Sequence, residues 1–169
     1  MIAMILKDVL KPNLDIVFCG TAVGEASAKK QAYYAGPGNQ FYPVLYKARL
    51  ISIQLLPENY EQLLNHNLGL TDMAKLTSGN DNILVEADFD IRGFKDKILK
   101  FKPKIVCFNG KRAAATFLNE RSTKNVNYGF LPQRIGTTRC YVAPSTSGSA
   151  RKFWDDSYWF NLKQEITNG

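Results

Sequence analysis

The segment 16–47 constrains the fold more than any other part of this 169-residue chain. An apolar run, Ile16 to Cys19, leads directly into a glycine-bounded turn, Gly20 to Gly24. Two adjacent tyrosines follow, and then a Gly-Pro-Gly-Asn sequence opens an amphipathic helix. A buried strand that ends in a glycine turn is typical of α/β folds with a parallel sheet. A turn of this kind that faces aromatic side chains can hold a flat polar ring, so the segment indicates a binding site.

Composition sets the class of protein. The chain is 45% hydrophobic and 22% charged, and it carries 22 Lys+Arg against 15 Asp+Glu, for a net charge of +7. These values predict one soluble globular domain over residues 1–169, with an excess of positive charge that suits a polyanionic partner. We find no signal-peptide pattern and no apolar stretch of membrane-spanning length. We therefore expect a cytoplasmic, nucleoid-associated monomer of bacterial type that does not bind membranes.

The cysteines predict buried thiols and no metal. Cys19, Cys107 and Cys140 each lie in an apolar, strand-like run, far apart in the sequence. This dispersed spacing differs from that of zinc or iron–sulfur sites. His66 is the single histidine, and we interpret it as structural. We expect neither a structural metal nor a cofactor.

The hydrophobic pattern predicts strands that alternate with helices. Strands are expected at 14–19, 105–108 and 139–143, and helices after Asn39 and at 57–69, 94–101, 111–118 and 151–166. Residues 73–90 and 119–129 are polar and are predicted to be loops. Alternating strands and helices favour a parallel sheet that is covered on both faces.

Three turns follow the three predicted strands: Gly20–Gly24, Asn109–Gly110 and Pro144–Gly148. Ligands of parallel sheets bind beyond the carboxyl ends of the strands, so these turns are expected to meet at one edge and form a site. The alternative is that they are ordinary tight turns between strands and helices.

Five short motifs occur in an order and spacing that resemble those of the uracil-DNA glycosylase superfamily. The resemblance is strongest to its mismatch-specific uracil and hypoxanthine branches. The motifs are Phe18-Cys-Gly-x-x-x-Gly, Ala-Gly-Pro-x-Asn39-x-Phe, Gly69-Leu-Thr-Asp72, Asn109-Gly-Lys and Pro144-Ser-Thr-Ser-Gly. The resemblance covers nearly the whole chain. It implies a three-layer α/β/α sandwich around a central four-stranded, mainly parallel sheet.

The resemblance also implies an activity that needs no metal or organic cofactor. A deaminated base is flipped out of DNA into the pocket at the strand ends. The glycosidic bond then breaks through an oxocarbenium-like sugar, to which water adds. Catalysis depends on donors directed at the charge that develops on the departing base, and on a positioned water.

The first motif departs from the family pattern. The family's Gly-x-Asn-Pro-Gly positions the attacking water through its Asn, and that position is Ala22 here. Backbone N–H groups of Thr21 and Ala22, next to Gly20, can still donate to a base carbonyl. The resemblance suggests Asn39 as the residue that positions the attacking water in place of the family's Asn. Asn39 is equally well explained as a helix N-cap. Glu25 is a second candidate, although an exposed glutamate outside the site is the more common case.

Three further elements are assigned by the resemblance. Asn109 can bind an edge of the base, or it can simply be a turn residue. Tyr34 matches the aromatic residue that stacks on the flipped base, against the alternative of a half-buried tyrosine. The last motif is expected to contact DNA phosphates; its residues are Ser145, Ser147, Gly148, Ser149 and Arg151. The family's bulky wedge side chain is absent between Ser145 and Ala150, which predicts easier action on single strands. The alternative for this motif is a serine-rich helix cap.

The leading hypothesis is a monofunctional DNA glycosylase that excises a deaminated base, uracil first and hypoxanthine second. A DNA-lesion-binding protein that has lost efficient chemistry is the competing class, favoured by Ala22 and Ala143. A nucleotide-metabolising α/β enzyme is a third class, and it predicts turnover of free nucleosides.

Overall fold

The fold is built around one five-stranded sheet. The structure is a computed structural model that describes residues 4–79 and 89–168. The strands are β1 Ile16–Val23, β2 Leu68–Ser78, β3 Ile105–Asn109, β4 Gly129–Ile135 and β5 Thr138–Ala143. Their spatial order is β2-β1-β3-β5-β4, with parallel pairing except between β4 and β5. The prediction of an α/β sandwich with a mainly parallel sheet is confirmed, and β4 adds a fifth, antiparallel strand to the expected four.

Both faces of the sheet are buried, which explains the apolar runs that predicted the strands. Alternate residues of β1 enter two different cores. Ile16 and Phe18 belong to one hydrophobic cluster, whereas Val17 and Cys19 belong to the other. The three cysteines are free and buried, as predicted.

Helices cover the two faces and complete the three layers. The helices are α1 Glu25–Lys30, α2 Phe41–Lys47, α3 Ile91–Phe101, α4 Lys111–Phe117 and α5 Ser157–Asn168, together with 3-10 segments at Pro57–His66 and Gly148–Phe153. Phe41 of α2 and Trp159 of α5 pack in the first core. Phe94 of α3 and Phe117 of α4 pack in the second. Within the described ranges, no helix is long and apolar enough to cross a bilayer.

Strand β2 corrects the sequence prediction. Residues 73–78 were expected in a loop and Gly69 at a helix end, yet both belong to this strand. Its sequence is polar, but Asp72 is buried there with an ionic partner. The N-terminal segment also covers the outer edge of β2, through paired backbone hydrogen bonds between Val9 and Leu70 of 2.9 Å each. The rest of the predicted loop, residues 80–88, lies outside the described residues.

Two other boundaries differ from prediction. Strand β1 does not stop at Gly20 but continues to Val23, so the predicted turn is mostly strand, paired to β2. The predicted helix 151–166 begins only at Ser157, after the 3-10 segment Gly148–Phe153. Both differences matter for the site, because they set where the strand-end side chains lie.

Candidate active site

The three strand-end segments meet at one edge of the sheet, as the sequence predicts. Thr146 joins two of them to the start of α2. The Asn109 Nδ2 donates to Thr146 Oγ1 at 2.9 Å, and the Thr146 N–H donates to Asn109 Oδ1 at 3.0 Å. The Thr146 carbonyl accepts the Gln40 N–H at 2.8 Å. Thr146 is buried, and sequence reasoning did not assign it a role.

Asn109 therefore has a positioning role. Both polar atoms of its amide are used to hold the last loop on the end of β3. Asn109 is therefore more than a turn residue, and its Nδ2 carries a second N–H that these two bonds do not use. Contact with a base stays a prediction.

The loop after Tyr34 packs against the last motif so closely that glycine is required. A Cβ at Gly148 would lie 2.6 Å from the Pro37 carbonyl oxygen. Gly38 has a φ of +73°, and a Cβ there would lie 3.0 Å from an Arg151 guanidinium nitrogen. The Arg151 guanidinium thus occupies the space beside Gly38.

Tyr34 lies between this loop and the end of β1. Its ring centroid is 4.1 Å from that of Phe41, at an interplanar angle of 30°, so one face is covered. The ring is partly exposed, but its hydroxyl is buried and has no hydrogen-bond partner among the described residues. A methyl group on Gly20 would lie 3.5 Å from that hydroxyl. Burial raises the pKa of the Tyr34 phenol well above its usual value, and the Asp72 carboxylate adds to the rise, whereas the nearby Asn109 side chain offsets a small part of it.

Asp72 lies beside the same glycine, in register with it on the neighbouring strand. A methyl group on Gly20 would lie 3.1 Å from Asp72 Oδ1. Asp72 Oδ2 is 3.3 Å from the Lys75 ammonium, and the two side chains are only 3% and 9% exposed. Burial raises the pKa of Asp72, and Lys75 offsets only part of the rise. Sequence reasoning included Asp72 in a motif but gave it no role, because β2 was predicted to be a loop.

A chain of charges continues from Asp72 to the surface. Lys75 Nζ also lies 3.0 Å from Asp8 Oδ1 and 2.8 Å from the Tyr33 hydroxyl. Asp8 in turn pairs with Lys97 at 2.6 Å. Burial raises the pKa of Asp8, but the charges of Lys75 and Lys97 outweigh it, so the pKa lies below its ordinary value. The two carboxyls shift in opposite directions because Asp72 is more deeply buried and has one lysine instead of two.

The other predicted catalytic residues occupy different surroundings. The N-cap residue of α2 is Gln40, so Asn39 is not the helix N-cap that the sequence predicted. Asn39 lies one residue earlier, and its Oδ1 accepts the N–H of Phe41, the first residue of α2, at 3.0 Å. Glu25 begins α1, is 81% exposed and lies 3.8 Å from Lys29. Ala22 and Thr21 are partly exposed near the end of β1, two residues or fewer from Gly20.

The serines of the last motif cap the 3-10 segment. The Ser147 Oγ accepts the Ser149 N–H at 3.3 Å and lies 2.9 Å from its hydroxyl. The Ser145 hydroxyl accepts the Ser147 N–H at 3.3 Å. A cavity of about 270 Å³ lies beside this segment, lined by Gln40, Ser147, Arg151 and Trp154. The loop thus combines hydroxyls, backbone amides and a guanidinium on one surface.

Comparison with known proteins agrees with this geometry. The family model described as the uracil DNA glycosylase superfamily matches residues 7–164. The chain is also similar to a solution NMR structure of a putative uracil DNA glycosylase from Methanosarcina acetivorans, with 25% sequence identity and a TM-score of 0.68. That alignment covers 96% of this chain and 96% of the other. The chain, with its strand-end site, belongs to the uracil DNA glycosylase superfamily, a family of DNA glycosylases.

Proposed function

We propose that this protein is a monofunctional DNA glycosylase that flips a deaminated base out of DNA and hydrolyses its N-glycosidic bond. Uracil is the proposed base. The observation that carries the proposal is the convergence of Tyr34 and Asp72 on one point beside Gly20, next to a loop that Thr146 fixes in place. The net charge of +7 supports a polyanionic substrate.

Base recognition is proposed to use the ring of Tyr34 and the carboxylate of Asp72. Stacking on an aromatic side chain contributes about 1–3 kcal/mol per base. A carboxylate only accepts hydrogen bonds, so Asp72 favours a base edge that presents an N–H. Uracil and hypoxanthine carry such an N–H beside a carbonyl, whereas cytosine and adenine have an unprotonated ring nitrogen there. The carboxylate would repel that nitrogen, and this selects uracil over cytosine and hypoxanthine over adenine. Thymine and guanine carry the same N–H beside a carbonyl, so this contact does not reject them.

The reaction is a hydrolysis with a simple balance. The bond between C1′ and the base nitrogen breaks, and its electron pair leaves with the base. A water oxygen bonds to C1′, and the proton released from this water ends on the departed base. Backbone N–H groups near Thr21 and Ala22 are proposed to donate to the base as its charge develops. The Asn39 amide is the proposed group for orienting the water, since its Oδ1 is engaged with Phe41 but its NH₂ can donate.

A lyase step would need an amine nucleophile in the pocket. Lys75 is the amine held near Asp72, and its ammonium is bound to Asp8, Asp72 and the Tyr33 hydroxyl. An ammonium engaged in this way is not a nucleophile. Borohydride is therefore expected to trap no covalent complex with DNA.

The test is excision from oligonucleotides that contain one uracil or one hypoxanthine, followed by alkaline cleavage of the abasic product. We expect strand breaks with uracil for the wild type, and a loss of about 100-fold for Asn39→Ala. Asn161→Ala, on an exposed position of α5, is the matched control and should behave as the wild type. Cleavage of the hypoxanthine oligonucleotide alone would show that hypoxanthine, and not uracil, is the substrate base. Salt-sensitive binding without cleavage of either oligonucleotide would reject the glycosylase and support the alternative of a lesion-binding protein.

A further inference from the structure

Phe153 is a large apolar side chain that lies on the surface and is not part of either hydrophobic core. It is 61% exposed, the largest fraction among the exposed large hydrophobic side chains of the described residues. Arg151 and Lys152 precede it in the 3-10 segment, and the Lys152 ammonium lies 4.9 Å from the Phe153 ring centroid. An exposed aromatic ring beside cations is a combination that proteins use to bind unpaired nucleic-acid strands.

The segment that carries Phe153 is firmly held. The Ala150 N–H donates to the Ser147 carbonyl at 3.1 Å, and the Trp154 N–H donates to the Arg151 carbonyl at 3.0 Å. The Trp154 ring lies 6.4 Å from that of Trp159, which is fully buried. The Trp159 indole N–H donates to the Pro144 carbonyl at 3.0 Å, at the start of the last motif. Phe153 is thus presented from a fixed support, which lowers the entropy lost when the ring binds a ligand.

The position of this ring is continuous with the candidate active site. The cavity beside the segment is lined by Arg151 and Trp154, which flank Phe153 in sequence, and by Gln40 at the start of α2. A Cβ at Gly38 would lie 3.0 Å from the Arg151 guanidinium, so the same segment contacts the loop that follows Tyr34. A DNA strand with a base in the site would lie close enough to contact this rim.

We propose that Phe153 stacks on an unpaired nucleobase of the bound DNA strand while Arg151 and Lys152 contact the phosphates beside it. The inference rests on the proposed function for its partner, DNA. It assigns an aromatic contact outside the small-residue loop between Ser145 and Ala150, where the sequence indicated none. DNA is favoured over a protein partner because two exposed cations, Arg151 and Lys152, directly precede the ring, and cations match a phosphate backbone. Asp155 and Asp156 follow it, so the phosphates are placed on the Arg151 side.

The experiment measures binding of undamaged single-stranded DNA by fluorescence anisotropy, so that it does not depend on excision. We compare the wild type with Phe153→Ala, Phe153→Trp and Phe160→Ala. Phe160 is the matched control, since it is also an exposed phenylalanine, at 38%, but lies on α5. We expect Phe153→Ala to weaken binding by about 10-fold, as for the loss of one base stack. Phe153→Trp should retain wild-type affinity, and Phe160→Ala should change it less than twofold.

The salt dependence separates stacking from a general structural defect. Phe153→Ala should leave the slope of log affinity against log salt unchanged, because no phosphate contact is removed. Equal losses in Phe153→Ala and Phe160→Ala, or unchanged binding in Phe153→Ala, would overturn the inference. Excision of uracil by the wild type with unchanged binding in Phe153→Ala would overturn it and leave the proposed function intact. The stated loss of binding in a protein that excises nothing would support it and reject the proposed function.

Discussion

Two charged regions border the same site and differ in almost every physical respect. The buried charge centre consists of Asp8, Asp72, Lys75 and Lys97, in which each ion pair is 3.3 Å or shorter. The rim segment is Gly148–Phe153, whose Arg151, Lys152 and Phe153 are exposed. The first region fixes a carboxylate beside Gly20, whereas the second presents cations and an aromatic ring to solvent.

The difference shows that buried charges fix the geometry of a site, whereas exposed charges contribute affinity for a ligand. A charge removed from water must be paired, so the position of Asp72 is set by Lys75 and cannot adapt to a ligand. Exposed cations cost little to maintain and bind any phosphate backbone, but salt screens their attraction. The buried charge centre is therefore suited to select a base, and the rim segment to bind DNA of any sequence. Substitutions at four positions test this division.

The largest effect is expected from Lys75→Met. This change leaves the carboxylates of Asp8 and Asp72 without the lysine that contacts both, and breaking a buried pair in this way costs about 3–5 kcal/mol. Urea unfolding measures the loss. Lys29→Met is the matched control, because its pair with Glu25 is fully on the surface and should change the free energy of unfolding by less than about 0.5 kcal/mol. Similar losses in both variants would contradict the comparison.

The next effect concerns Asp72→Asn, which keeps the shape of the side chain but adds a donor. We expect uracil excision to fall by about 10- to 100-fold, as for the loss of a hydrogen bond to a charged group. Burial raises the pKa of Asp72 above its ordinary value of 3.8. As the pH is lowered, the wild-type carboxylate is therefore protonated, and excision falls, before the pH reaches 3.8. The pH–rate profile of the variant should lack this fall. Asp96→Asn, on the exposed side of α3, is the control.

A smaller and more selective effect is expected at Tyr34. Tyr34→Phe removes a buried hydroxyl that has no hydrogen-bond partner among the described residues, so thermal unfolding should show no loss of stability. Tyr34→Ala also removes the stacking ring and should lower excision by about 10-fold. If Tyr34→Phe destabilises the protein as Tyr42→Phe should, the hydroxyl has a partner in solution. Tyr42 is the appropriate reference, because its hydroxyl donates to the Tyr33 carbonyl at 2.6 Å.

The smallest effect is expected from Arg151→Ala on the rim. One phosphate contact is removed, so the slope of log affinity against log salt should decrease by about one, with a modest loss of affinity for all sequences. Filter binding of oligonucleotides with and without uracil at several salt concentrations measures both quantities. A loss confined to the uracil oligonucleotide would place base selection on the rim and contradict the division between the two regions.

The sequence predicted the position and burial of the central strands. Val17 and Phe108 lie in strands that are buried on both faces, so the apolar runs alone identified β1 and β3. The pattern failed for β2, because residues 73–90 are rich in Ser, Gly, Asn and Asp, which is typical of a loop, and the strand also contains the buried charges of Asp72 and Lys75. Their burial depends on Asp8, more than 60 residues away in the chain, and no local pattern contains that partner.

The candidate site shows the same limit. The motifs identified Tyr34, Asn109 and the last loop from residue types and order alone. They did not indicate that the Asn109 amide is bound to Thr146, or that Glu25 is paired with Lys29 on the surface. The sequence shows that an amide or carboxylate is present, but not whether it is hydrogen-bonded to another part of the protein or free to bind a ligand. That depends on its neighbours in space.

By itself, the sequence determined the α/β class through its hydrophobic periodicity, and it indicated the family and its layered fold through the order and spacing of short motifs. Both kinds of signal are local in the chain. The tertiary structure alone decided which polar groups face the site. Asp72 and Tyr34 come to lie beside Gly20 through the pairing of two strands and the packing of a loop. The physical reason is that burial and ion pairing are properties of atoms close in space, and those atoms are distant along the chain.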